Sequence, residues 1–290
     1  MGSRLSSLLQ LARPHHWLKN SFVFVGPVFS HAWMQAPVVR SALLAFAAFC
    51  LVASAVYVVN DILDIEADRA HPTKRTRPIA LGAVGIGEAW AYAALLAASG
   101  LWLSWAAGPK VLAIVLCYAL LNLAYSLRLK HIVIFDVFVI AAGFMLRILA
   151  GTVGIGIAPS KWLIVCGLMV TLFLGFAKRR AELALASEHG HHRRVLDHYS
   201  LPLLDKLIGV SASGAIVTYC LYTVAPETVA VHHTENLVYT VPLVLYAMFR
   251  YLYLLHRKGQ GEDPVTDLFR DPHILGAVAG WAVLTIWMFA

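Results

Sequence analysis

Residues 57–80 read Y-V-V-N-D-I-L-D-I-E-A-D-R-A-H-P-T-K-R-T-R-P-I-A, following the almost uncharged apolar run of 42–59 with four acids and five bases. Asn60, Asp61, Asp64 and Asp68 stand at i, i+1, i+4 and i+8, so on a continuous helix the three aspartates form one column on one face. Three carboxylates in a column at the end of a membrane helix are costly unless a cation sits among them. Hard oxygen donors of this kind suit Mg²⁺, which keeps several waters and shares its shell with substrate phosphates. The bland alternative is a solvated acidic helix end whose aspartates interact with Arg69, Lys74 or Arg75.

Working outward, composition excludes a soluble domain. Hydrophobic residues make up 60% of the 290 residues and charged ones only 13%, where soluble domains approach a quarter charged. The chain reads as an all-α polytopic membrane protein forming one domain over 1–290. Nine membrane segments are predicted, near 20–34, 41–60, 86–107, 111–127, 132–151, 161–178, 205–224, 236–256 and 272–289. Nearly all Lys and Arg fall in the loops that share a side with the N-terminus, and the opposite side has only Arg40, Lys110 and Lys161. By the positive-inside rule that richer side, N-terminus included, is cytoplasmic. The net charge of +7 is then a property of one face, and nucleic-acid binding explains it poorly, since no binding module is recognisable. No cleavable signal peptide is read at the start. The cysteines, Cys50, Cys117, Cys166 and Cys220, are scattered singly and read as reduced packing residues.

The charged clusters on the cytoplasmic side are the candidate site. Arg13-Pro14, Trp17, Lys19 and Asn20 precede the first segment, where Trp17 suits an interfacial anchor and Lys19 a headgroup or phosphate contact. Lys74, Arg75 and Arg77, with Arg69, follow the acidic column between two prolines and suit an anion carrying several phosphates. Tyr125, Arg128, Lys130 and His131 cap the hairpin between segments four and five. Asp136 and Arg147 lie inside segment five, where Arg147 reads as an inward structural partner. Lys178, Arg179, Arg180 and Glu182 close segment six. The His-rich run at 188–194 lacks the pattern of a structural zinc site, and the polar loop at 262–271 reads either as a gate or as solvated chain.

N-D-x-x-D-x-x-x-D after an apolar helix, within nine segments, resembles the UbiA superfamily of intramembrane prenyltransferases, over essentially the whole chain. R-P-x-x-W-x-K-N (13–20), D-R-x-H-P-x-K-R-x-R-P-I-A (68–80), Y-S-x-x-L-K-H (125–131), K-R-x-A-E-L (178–183) and the loop at 261–271 look like its decaprenyl-phosphate 5-phosphoribosyltransferase branch. Aromatic prenyltransferases of the superfamily carry a second aspartate-rich motif after segment six, where this chain has Lys178, Arg179, Arg180 and a single Glu182.

The resemblance implies a bundle of about nine transmembrane helices with its active site at the cytoplasmic side, in the bacterial cytoplasmic (inner) membrane. It implies Mg²⁺-dependent transfer of 5-phosphoribose from phosphoribosyl diphosphate to a polyprenyl phosphate, releasing diphosphate. Asp61, Asp64 and Asp68 would bind the metal, and Asn60 would orient a carboxylate or bind ribose. Lys19, Lys74, Arg75, Arg77, Tyr125, Lys130, Lys178, Arg179 and Glu182 would hold the phosphorylated substrates. Two other readings stay open: transfer from a prenyl diphosphate to an aromatic or other acceptor, and a non-enzymatic lipid-phosphate binder or transporter. Lipid chain length and oligomeric state are not legible.

Overall fold

The structure is a computed structural model that describes residues 4–70, 74–189, 194–257 and 270–289. Expectations placed on 71–73, on the His-rich run from 190 to 193 and on the loop from 258 to 269 lie outside the described residues, as do the side chains of 186–189 and 194. The described residues form helices and no strands. Among the described residues, eight helical stretches are long and apolar enough to cross a membrane: Ala36–Leu63, Ile86–Ala107, Pro109–Leu127, Phe135–Ile155, Lys161–Leu185, Leu201–Val224, Asn236–Arg257 and Pro272–Phe289. They match eight of the nine predicted segments, and the chain is an integral membrane protein. The segment expected at 20–34 is instead broken. A 3-10 helix covers Pro14–Phe24 and α2 only Val25–Phe29, after α1 (Arg4–Ala12). Pro27 inside this stretch has no N–H to donate, and His31 sits in the left-handed region at φ 57°, so no long helix can run through it.

Contacts group the chain into two compact units, Met1–Lys130 with Leu146–Pro159, and His131–Met145 with Ser160–Ala290. In the first, α3 (Ala36–Leu63) is followed by α4 (Ile65–Ala70), α5 (Ile86–Ala107) and α6 (Pro109–Leu127). At about 1.5 Å per residue α3 is about 42 Å long, more than the roughly 30 Å hydrocarbon layer. Asn60 and Asp61 lie in its last turn. Gly108 turns α5 into α6 at φ 144°, with Pro109 opening the second helix, a Gly-stop and Pro-start pairing.

Two apolar clusters hold this unit. Val23, Phe49, Val52, Val115 and Tyr118 pack one end of α3. Leu11, Val58, Ile62, Ile79 and Ala89 pack the other, tying α1, the end of α3 and the chain after Arg77 together beneath the acidic residues. The 3-10 helix also approaches the chain after Ala150 closely. A Cβ at Gly151 would lie 1.7 Å from the Val23 carbonyl oxygen, and one at Gly26 would lie 2.1 Å from the Gly151 oxygen. Gly151→Ala must therefore push backbone from backbone. It is expected to lower the unfolding midpoint in detergent and to cost at least about 1–3 kcal/mol. An unchanged midpoint would show that the two segments are not in contact.

In the second unit α7 (Phe135–Ala150) contributes its first turns, with α8 (Lys161–His189), α9 (Leu201–Val224), α10 (Pro226–His232), α11 (Val241–Arg257) and α12 (Pro272–Phe289). Ser200 caps α9 by accepting from the Leu203 N–H at 3.3 Å. Asp271 does the same for α12, accepting from His273 and Ile274 at 3.1 Å each. Arg250 reaches Asp271 at 2.9 Å, and this hydrogen bond holds its carboxyl below the usual carboxylate range. Asp271 thus ends the predicted polar loop as a helix cap. All four cysteines are free thiols, as their scatter predicts.

Candidate active site

The site in the first unit begins where α3 stops. Its last residue is Leu63, and Asp64 follows at φ −96°, ψ 11°. The backbone still coils, with the Asp64 N–H donating to the Asn60 oxygen at 2.9 Å and the Asp68 N–H to the Asp64 oxygen at 2.8 Å. The three aspartates nevertheless do not share one environment. Asp61 and Asp68 turn inward, each 3% exposed. The Asp64 side chain is 48% exposed, and its nearest cation, Lys130, is 3.7 Å away, beyond hydrogen-bond range.

Two arginines complete the cluster. Asp61 Oδ1 accepts from Arg13 Nη2 at 2.6 Å and from Arg77 Nη1 at 2.9 Å. The same Arg77 nitrogen donates to Asp68 Oδ2 at 2.6 Å. Two buried carboxylates thus face two guanidinium groups, the arrangement that buried charge requires. Arg13 is placed by an unusual backbone: it stands in the left-handed region at φ 52° between α1 and Pro14, and its guanidinium lies 5.1 Å from the centre of the Tyr57 ring. A non-glycine residue in that region carries backbone strain, which clusters at functional sites.

Among the described residues no group of three or more His, Cys, Asp or Glu is placed to hold a metal ion. The three-aspartate cage predicted from spacing is therefore not assembled, the Asp64 side chain being half-exposed and apart from Asp61 and Asp68. Asp61 and Asp68 still present oxygens that converge on one positively charged nitrogen. Two hard carboxylates at a shared cation position fit Mg²⁺, which takes its other ligands from water and substrate phosphates.

The other predicted residues of this unit lie around that core. Asn60 Oδ1 accepts from Ser126 Oγ at 2.6 Å, which fixes its amide against α6, and Tyr125 beside it is half-buried. Lys19 Nζ is 3.1 Å from His16 Nδ1, and the His16 ring lies 5.3 Å from that of Tyr57. Lys74 is half-buried and Arg75 exposed, both in the 3-10 turn Lys74–Thr76. Arg69 pairs with Glu66 at the surface at 3.1 Å, a contact of little energetic weight. The sequence pattern puts Arg13 only in the N-terminal cluster and does not mark Ser126 or His16 as site residues. The Arg-Pro pair was the one available signal for Arg13. Arg147 is buried as expected, donating to Asn20 Oδ1 at 2.7 Å and to the Tyr118 hydroxyl at 3.1 Å.

The second unit carries Lys178, Arg179 and Glu182 on α8. Arg179 and Asp136 are fully buried, at 0% exposure, with Arg179 Nε donating to Asp136 Oδ2 at 2.6 Å. Arg179 Nη1 also binds Glu182. Tyr199 donates to Asp136 Oδ1 at 2.7 Å and accepts the Ile134 N–H at 2.6 Å. Burial first, then this bond to Asp136, pushes the Tyr199 hydroxyl well above its ordinary pKa, so it remains a donor. Ile134 is held at φ 67°, a costly conformation for a β-branched residue. Lys178 is half-buried, while Arg180 is taken up by Asp205 at 2.5 Å. Asp136 is among the charged residues noted in segment five but was not paired with Arg179, and Tyr199 was not among the predicted site residues, since no local spacing links either to Arg179.

Comparison with known proteins agrees with this architecture. The UbiA prenyltransferase family matches residues 21–270. The chain is 37% identical over 223 residues to a decaprenyl-phosphate phosphoribosyltransferase of Mycolicibacterium smegmatis, covering 75% of this chain and 70% of that protein. It is 30% identical over 292 residues to the nodulation protein NoeC of Azorhizobium caulinodans, covering 96% and 92%. In fold it is similar to a UbiA homolog from Archaeoglobus fulgidus solved with GPP and Mg²⁺ bound, at a TM-score of 0.71 and 17% identity, covering 98% and 96% of the two chains. The chain belongs to the UbiA prenyltransferase family.

Proposed function

We propose that the protein transfers 5-phosphoribose from phosphoribosyl diphosphate to a polyprenyl phosphate of decaprenyl type, releasing diphosphate and requiring Mg²⁺. The observation that carries this reading is the cluster at the end of α3, where buried Asp61 and Asp68 meet Arg13 and Arg77. Such a cluster suits a metal-bridged diphosphate ringed by bases. The relative of that name over three quarters of the chain supports the choice of donor and acceptor. Excess Lys and Arg in the loops that follow α3, α6, α8 and α11 supports a cytoplasmic site in a bacterial inner membrane.

Asp61 and Asp68 would hold Mg²⁺, which neutralises charge on the departing diphosphate. Ser126 fixes Asn60 for a hydrogen bond to the ribose or to a neighbouring carboxylate. Lys19, Lys74, Arg75, Arg77 and Lys130 are the bases of the first unit that would contact phosphate groups. Lys178 is the corresponding base of the second unit, while Arg179 keeps Glu182 and Asp136 in place. The bond from ribose C1 to the diphosphate oxygen breaks as one forms to an oxygen of the lipid phosphate. That nucleophile is already anionic and needs no strong general base. The work of the chain is therefore to position the substrates and exclude water.

Purified protein given labelled phosphoribosyl diphosphate, decaprenyl phosphate and Mg²⁺ should produce a labelled lipid. EDTA should reduce this to background, and added Mg²⁺ should restore it. Absence of labelled lipid across several acceptor lengths, alongside turnover of geranyl diphosphate with an aromatic acceptor, would overturn the reading in favour of prenyl transfer.

A further inference from the structure

We propose that Arg77 is a displaceable cation that occupies the metal position between Asp61 and Asp68, so that metal and diphosphate bind this site together. The inference rests on the metal role proposed above for those two aspartates. Its basis is how Arg77 makes its contacts. An arginine beside a carboxylate ordinarily uses its planar fork, two nitrogens on two oxygens of one acid. Here a single nitrogen, Nη1, lies 2.9 Å from Asp61 Oδ1 and 2.6 Å from Asp68 Oδ2. The guanidinium therefore serves as a point charge between two acids, in the manner of a metal ion.

The two cations cannot share the place. A divalent ion bound to these oxygens would stand within a few ångströms of Nη1, and like charges at that range repel strongly in a site where both acids are 3% exposed. Arg77 is the arginine able to leave. Its side chain is 27% exposed, against 19% for Arg13, which is also held over Tyr57 and fixed by its backbone. On leaving, Arg77 needs a new anion, and a diphosphate arriving with the metal supplies one. The exchange puts a divalent cation where a monovalent one stood, and the negative charge of the diphosphate offsets both the added charge and the displaced guanidinium. It makes metal affinity and diphosphate affinity mutually dependent, and that dependence is reciprocal.

The test uses the full chain in detergent, with Mn²⁺ as the metal probe, read by electron paramagnetic resonance and by protein-retained Mn²⁺, and inorganic diphosphate as the phosphate probe. Arg77→Gln should bind Mn²⁺ alone about tenfold more tightly than wild type, because the competitor that reduces the binding-competent fraction is gone. The same variant should bind diphosphate, with Mg²⁺ present, more weakly than wild type. The wild-type protein itself, which needs no variant to fold, should retain at least about tenfold more Mn²⁺ when equimolar diphosphate is added. Equal Mn²⁺ affinity in wild type and Arg77→Gln, abolished in both by Asp61→Asn, would overturn the exchange and leave the metal site standing. If no protein retains Mn²⁺ with or without diphosphate, the metal role of the aspartates itself fails, and the exchange fails with it.

Discussion

Asp61→Asn is expected to lower phosphoribosyl transfer by at least about 10²-fold, the scale of losing a central electrostatic stabiliser. Asparagine keeps the shape of the side chain but removes the charge that faces both Arg13 and Arg77. Asp68→Asn should cost a comparable amount, since Asp68 is as buried as Asp61 and shares Arg77 with it. Asp64→Asn should cost much less, because that side chain is half-exposed and its contact with Lys130 is long. Spacing on an unbroken helix gives a different order, with Asp61 and Asp64 dominant and Asp68 farthest along the column. The three single variants therefore separate the two geometries. Initial rates at saturating donor and acceptor decide between them, with the unfolding midpoint of each variant as control. Severe loss in Asp64→Asn with a mild effect in Asp68→Asn would mean that the working enzyme aligns all three acids, contrary to the break after Leu63.

That difference marks how far sequence alone could reach. Long apolar runs fix the membrane helices, because in a bilayer the backbone must satisfy its own hydrogen bonds, and eight of the nine predicted segments are present as long helices. The acidic and basic residues around 60–77 were equally legible, since charge at a membrane helix end is expensive without a use. Less legible was anything set by a single backbone angle. Arg13 at positive φ and the broken stretch around Pro27 each redirect side chains without altering the residue pattern. Partners distant in sequence were also hidden. Arg13 and Asp61 are 48 residues apart, Asp136 and Arg179 are 43 apart, and Asp136 and Tyr199 are 63 apart.

Arg179 shows what such a hidden partner changes. As a base closing segment six it reads as a phosphate contact, and Arg179→Ala would then raise the KM for one phosphorylated substrate. A charge-assisted contact of roughly 1.5–3 kcal/mol corresponds to about ten- to a hundredfold, at unchanged stability. The buried network gives a different expectation. With Arg179 and Asp136 both fully buried and Glu182 on the same guanidinium, Arg179→Ala leaves Asp136 as an uncompensated buried charge. It should cost about 3–5 kcal/mol of stability, measured as a lower unfolding midpoint in detergent. Arg180 cannot substitute, being committed to Asp205. Pairing the change with its partner sharpens the test, since apolar replacement of both ends of a buried ion pair is often neutral or stabilising. Arg179→Met with Asp136→Leu should therefore recover part of the lost stability, since the Tyr199 hydroxyl loses its acceptor, while Glu182, 21% exposed at its side chain, can turn to water. Lys178→Ala, beside it on α8, should leave stability unchanged and raise one KM. If Arg179→Ala keeps the wild-type midpoint and raises a single KM, the guanidinium is available to substrate and the buried network does not describe the working enzyme.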